Sequence, residues 1–227
     1  MKKKNSAIAD LLSVMARLRS PQGCPWDRQQ DHNSLRLHAV EEVYELVDAI
    51  ESGDDHEMAE ELGDLLLQVV FHCQLAQERG AFDFEGVARH IADKLVRRHP
   101  HVFGDVKVKN VDEVWANWEK IKAAEKRGTP HARPSALDGI PKHLPALLRA
   151  EKLIRKARKA KLLEGALERP PRLTRGALAR RLFDLARQAQ ARGWSAEDLL
   201  RRETQRREKS LRRREAKERR PALETPR

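Results

Sequence analysis

The chain has 227 residues, with 46 Lys and Arg against 35 Asp and Glu, a net charge of +11 and only 4% aromatic residues. At 36% charged residues and with few β-branched runs, it favours a helical protein long enough to bury a core. Cys24 and Cys73 are too few for a disulfide framework and fit a reduced, cytoplasmic chain; no apolar run approaches the ~18 residues of a membrane span.

Ile8, Leu11, Leu12, Met15 and Leu18 recur at helical spacing and predict an amphipathic helix over 6–19. The basic start Met1-Lys2-Lys3-Lys4 therefore leads into a helix, not into the continuous apolar stretch of a signal peptide. Pro21, Gly23 and Pro25 end this helix, and 20–33 reads as a loop containing Cys24-Pro25-Trp26-Asp27. Trp26 in that loop either stacks on a base or plugs the end of a bundle. Cys24 lacks a second cysteine at ligand spacing, which argues against a zinc or nucleophile role.

Two helices are expected over 34–52 and 54–79, separated by the break Ser52-Gly53-Asp54-Asp55. At 100° per residue, Glu41, Glu42, Glu45 and Asp48 fall within roughly 120° of the first helix, and Glu57, Glu61 and Asp64 within roughly 60° of the second. Leu46 and Ile50 lie opposite on the first, and Leu62, Leu66, Val69 and Cys73 on the second. If those apolar faces pack, two acidic stripes edge one crevice. Like charges that close are costly unless a cation sits between them, and hard oxygen ligands suit Mg²⁺.

Residues 83–99 predict a further helix with Phe84, Val87, Ile91 and Leu95 inward, ending in the cationic run Lys94 to His99. Lys94, Arg97 and Arg98 either complement the helix dipole or clamp phosphate oxygens. A helix over 111–126 presents Trp115 and Trp118 at i, i+3. Glycines and prolines punctuate 127–145, which reads as a linker between an N-terminal domain over 1–126 and a basic region over 146–227. Helices are expected there over 146–163, 174–192 and 196–219, with Pro170-Pro171 as an interruption. Residues 201–220 hold 11 Lys/Arg and 4 Glu, so +7 of the charge lies in one segment. That segment reads as a solvated face, and nucleic acid is not expected as a partner.

The pattern Glu41-Glu42-x-x-Glu45 followed by Glu61-x-x-Asp64 resembles the MazG family of nucleoside triphosphate pyrophosphohydrolases. Surrounding phrases add to the likeness: Cys24-Pro25-Trp26-Asp27, Gly63 to Phe71, Arg97 to Phe103, Trp118 to Lys122 and Ser135 to Pro141. The resemblance implies an all-α, MazG-like helical bundle with a helical C-terminal extension. It also implies Mg²⁺-dependent hydrolysis of a nucleoside triphosphate to the monophosphate and pyrophosphate, with Mn²⁺ as a substitute ion. Glu42, Glu45, Glu61 and Asp64 are the implied metal ligands, with Glu41 either a further ligand or the water-orienting base, and Glu41 and Glu42 the catalytic candidates. Lys94, Arg97 and Arg98 would hold phosphate and Trp26 the base. Family members pair as homodimers, and the same is expected here.

Two-domain members repeat the carboxylate set. Here Thr174 stands where Glu61 would be and Ala177 where Asp64 would be, so the C-terminal region should bind no metal. A competing reading is a non-catalytic protein that senses nucleotides or docks RNA through its basic end.

Overall fold

The computed structural model describes residues 6–129, 132, 134–163 and 173–219. Every regular element among them is helical: α1 (Ala7–Leu18), α2 (Pro25–Gln29), α3 (Arg36–Ser52), α4 (Asp55–Glu78), α5 (Phe84–Arg98), α6 (Pro100–Phe103), α7 (Val111–Ala124), α8 (Ala146–Lys159), α9 (Arg175–Gln190) and α10 (Ala196–Arg219). The chain is all-α, and no described helix is long and apolar enough to cross a membrane. Pro170-Pro171 lies outside the described residues. Two short helices, α2 and α6, were not expected. Each has a proline in its first turn, where a missing N–H costs nothing and the fixed φ already suits a helix.

The chain divides into two compact units, Met1–Ile121 and Lys122–Arg227. In the first, α4 is central and packs against α1, α3 and α5. Gly53, at φ 73, ends α3 in the left-handed region that favours glycine, and Asp54 then caps α4 by accepting from the His56 and Glu57 N–H groups. This abrupt reversal lays α3 back on α4. The core beneath is Met15, Leu35, Val70, Phe71 and Leu75, with Leu11, Leu12, Leu66, Leu67 and Phe84 around it. Truncating Phe71 to Ala there would cost about 3–5 kcal/mol. Arg19 fastens the end of α1 to the end of α4: Nε and Nη2 donate to the Glu78 carboxylate at 2.6 and 2.7 Å. Its remaining nitrogen donates to the backbone carbonyls of Asp27 and Gln30, which anchors α2 as well.

The expected apolar faces need correction. Ile50, Leu62 and Val69 are exposed, as are Ile91 and Leu95 of α5. The buried residues of α4, Gln68, Val70, Phe71, Cys73, Leu75 and Ala76, all lie in its second half and reach around most of its circumference, so position along the helix decides what is covered as much as the face does. Periodicity identifies an apolar stripe but not which stripe a neighbour covers.

The second unit is built on α8 against α10. Leu153 and Ala157 of α8 join Leu137 and Leu162 in a core that Ile140, Ala160 and Leu211 border. The stretch expected as a linker thus supplies a fully buried leucine. Its polar backbone is held by α10: Glu215 accepts from Ser135 Oγ and from the Ala136 N–H at 2.5 and 2.8 Å, and Arg212 meets Asp138 at 2.7 Å. Glu197 of α10 accepts from the Ala146 N–H at 2.9 Å, which supplies a charged cap to a helix that starts after Pro145. Helix α8 stops at Lys159, short of the expected 163, because Lys161 turns to φ 56 and returns Leu162 to the core. Thr174, the residue in the Glu61-like position, caps α9 by accepting from the Ala177 N–H.

Candidate functional site

The reversal at Gly53 brings the acidic stripes of α3 and α4 together. Glu42 and Glu45 of α3 and Glu61 of α4 each offer a carboxylate oxygen, and the three oxygens lie within 4.8 Å of one another. Burial is the main force pushing the Glu42 carboxyl above its ordinary value, followed by the negative charges of Asp64 and Glu45. Glu61 is raised in the same direction, first by desolvation and then by Glu45, Asp64 and Glu42. Asp64 therefore acts on both, one turn along α4 from Glu61. Glu41 stands to the side, largely exposed and 3.8 Å from His38 Nδ1. Three hard carboxylate oxygens this close to one another form a donor set that fits a divalent cation.

Sequence reasoning missed two supports of this crevice. Gln68, buried in α4, donates Nε2 to Glu42 Oε1 at 3.3 Å and steadies a carboxylate that every charged neighbour repels. Its spacing was a usable signal, since Gln68 follows Asp64 by four residues and Glu61 by seven, on the same helical face. One turn further along, His72 stacks on His32 with ring centroids 5.1 Å apart and Nδ1 atoms 2.9 Å apart, one ring donating and the other accepting. Burial and the neighbouring ring hold His72 below the ordinary histidine range, and the stacked pair pins the segment after α2 to α4. Nothing local in the sequence announces a contact across 40 positions.

The cationic candidates sit in a second place. Lys94 and Arg98 of α5 line a cavity of about 390 Å³ with Ile91, Leu95, His99, Val114, Trp115 and Trp118. The Arg98 guanidinium lies 5.5 Å over the Trp118 ring, and Trp115 meets Trp118 edge-on at 5.4 Å. Ile91 and Leu95, expected inward, form the apolar wall of this cavity. None of the carboxylates lines it, and neither do Arg97 and Trp26. Trp26 is 53% exposed and lies edge-on to His38 at 6.2 Å. Cys24 starts α2, and burial pushes the Cys73 thiol up.

Comparison with known proteins places the crevice in context. The MazG nucleotide pyrophosphohydrolase domain matches residues 30–103, a span containing all of Glu41 to Asp64 and Lys94 to Arg98. The nucleoside triphosphate pyrophosphohydrolase of Escherichia coli (strain K12) is 51% identical over 147 residues, 64% of this chain and 55% of that protein. The uncharacterised protein YabN of Bacillus subtilis is also 51% identical, over 141 residues that cover 62% of this chain and 28% of YabN. An uncharacterised 26.1 kDa protein from the blaB 3′ region of Streptomyces cacaoi is 44% identical over 196 residues, 86% of this chain and 76% of that protein. The match thus takes in about half of the Escherichia coli relative and about a quarter of YabN. With the domain matched across the carboxylate crevice and a relative of similar length matched across both units, the chain belongs to the MazG family.

Proposed function

We propose that this protein hydrolyses nucleoside triphosphates to the monophosphate and pyrophosphate, using Mg²⁺ held between α3 and α4. The observation that carries the reading is the meeting of Glu42, Glu45 and Glu61 within 4.8 Å, with Asp64 acting on the same crevice. The relative from Escherichia coli that bears the name nucleoside triphosphate pyrophosphohydrolase supports the same activity.

Glu42, Glu45, Glu61 and Asp64 are the ligand set, and Gln68 keeps Glu42 in place. A divalent ion bound there supplies charge neutralisation on the phosphates and a more acidic water. Glu41, beside the set, orients the water that attacks phosphorus. The phosphoanhydride bond to the leaving pyrophosphate breaks in line, and the water proton goes to solvent or to Glu41. Lys94 and Arg98 hold phosphate oxygens, with Arg97 as a further cation near the same helix end, and Trp26 stacks on the base. The protein works as a cytoplasmic homodimer. In support of pairing, Leu37, Val40, Tyr44 and Val47 form an exposed stripe on α3 beside the exposed Ile50.

The test is pyrophosphate release from a panel of canonical and modified nucleoside triphosphates, with Mg²⁺ and after chelation. Release from several of them that stops on chelation is expected. Normal turnover by Asp64→Ala, or no release from any triphosphate, would overturn the assignment.

A further inference from the structure

The two units carry opposite charge. Met1–Ile121 holds 15 Lys/Arg against 22 Asp/Glu, whereas Lys122–Arg227 holds 31 against 13. The net values are −7 and +18, so the whole positive excess of the chain, and more, belongs to the unit that lacks the carboxylate crevice. A solvated face needs cations only in no particular register. Helix α10 has a register.

At 100° per residue, Arg202, Arg206, Lys209, Arg213 and Lys217 fall within about 80° of one another. All five are exposed. The opposite side of the helix is the packed one, with Thr204 and Glu215 buried and Leu211 bordering the core. Most acids of α10 are engaged elsewhere: Glu197 caps α8, Glu208 joins Arg149 and Arg212, Glu215 holds the 135–136 turn and Glu218 pairs with Arg214, while Asp198 precedes the stripe. Glu203 lies between Arg206 and Arg207, which hold its carboxyl down at about 2. Arg206 is therefore shared, but Arg202, Lys209, Arg213 and Lys217 have no acidic partner among the described residues.

We propose that this stripe of α10 binds the phosphodiester backbone of a nucleic-acid duplex, independently of sequence. From Arg202 to Lys217 it runs about 22 Å, the length over which one strand of a duplex presents about six phosphates. Helix α10 contains no aromatic residue, so it offers no platform for unstacked bases, as single-strand binding requires. From Arg202 to Lys217 the helix exposes no large apolar side chain to enter a lipid interface; its exposed leucine, Leu199, precedes the stripe. Such contacts position a protein on a backbone without reading bases. The inference does not rest on the activity proposed for the first unit.

The experiment uses the intact chain and a fluorescein-labelled duplex of about 20 base pairs, DNA in one arm and RNA in the other, read by anisotropy. With about four phosphates neutralised, log Kd against log salt has a slope near 3.6, so affinity falls roughly 150-fold between 50 and 200 mM salt. In the variant Arg202→Gln/Lys209→Gln/Arg213→Gln, this loss shrinks to about 3-fold, while helicity and pyrophosphate release stay at the wild-type level. A preference for one duplex over the other identifies the source, and either one supports the proposal. Absence of duplex binding at 50 mM salt overturns it. So does a wild-type salt slope in the triple variant, or binding of phosphatidylserine vesicles by a chain that ignores both duplexes.

Discussion

Glu42 and Glu61, in the crevice of the first unit, face other carboxylates, whereas Glu203 and Glu208 of α10 each lie between two arginines. The same side chain is raised in one place and, at Glu203, held down at about 2 in the other. The second unit balances its carboxylates internally, and they serve as caps and ties for the 135–145 segment. The first unit leaves repulsion in place on a rigid helical hairpin, which is the arrangement a ligand cation relieves. The two units thus use their acids differently, and substitutions of one residue type should have opposite consequences in the two.

The largest effect is expected at the crevice. Glu61→Gln should lower Mg²⁺-dependent pyrophosphate release by about 10³- to 10⁴-fold, the scale of charge stabilisation that a bound metal supplies. Because it removes a repelled charge, the same change should raise the melting temperature of the metal-free chain. A lower melting temperature would mean that the carboxylates of the crevice stabilise the fold, and the contrast between units would fail.

In α10 the sign reverses. Arg149 is 5% exposed, and among the described residues its Nε and Nη1 have no hydrogen-bond partner, so Glu208 is its described ionic contact. Glu208→Ala leaves that guanidinium buried and uncompensated and should cost the second unit about 3–5 kcal/mol in denaturant unfolding. The double variant Arg149→Met/Glu208→Leu should recover most of this, since replacing both members of a buried pair by apolar groups is often neutral. If the double variant is as unstable as the single one, the loss comes from packing and not from charge.

Between these extremes lies Gln68. Changing it to Leu keeps the volume but removes the one described hydrogen bond to Glu42, and metal affinity should fall about 10- to 100-fold with little change in folding. Titration of Mg²⁺ against activity separates this from a change in turnover.

The meeting of α3 and α4 was legible in the sequence because all of its causes are local: i, i+3 and i+4 spacing of acids, a glycine for the left-handed turn, and Asp54 as a cap. What was not legible depends on distant partners. Leu137 sits in a stretch without periodicity and is buried only because α8 and α10 converge on it. Glu215 looks like one more charge in a basic helix until its acceptors meet Ser135, 80 positions away. Ile50, Leu62 and Val69 have the right spacing for a core but are exposed, because spacing does not tell how far along each helix a neighbour packs. Lys94 and Arg98 were read for charge, yet their surroundings, a tryptophan-lined cavity between α5 and α7, depend on packing.

The smallest effect sharpens the comparison within a single helix. Helix α4 begins with carboxylates that repel and ends with Glu78, whose hydrogen bond to Arg19 holds its carboxyl below the ordinary value of 4.5. For a depressed carboxyl, the unfolded chain binds protons more readily, so the pair stabilises the fold above pH 4.5 and that contribution is lost as pH falls below it. Glu78 is 37% exposed, and solvent screening keeps the gain at about 1 kcal/mol or less. Melting curves of wild type and Glu78→Gln should therefore differ at pH 7 and converge toward pH 3. Arg19 also holds the carbonyls of Asp27 and Gln30, so Arg19→Met should stay less stable at every pH, because those bonds do not titrate with Glu78. Convergence of Arg19→Met with wild type in acid would show that the backbone bonds contribute nothing and that Arg19 stabilises only through the Glu78 carboxylate, between the ends of α1 and α4.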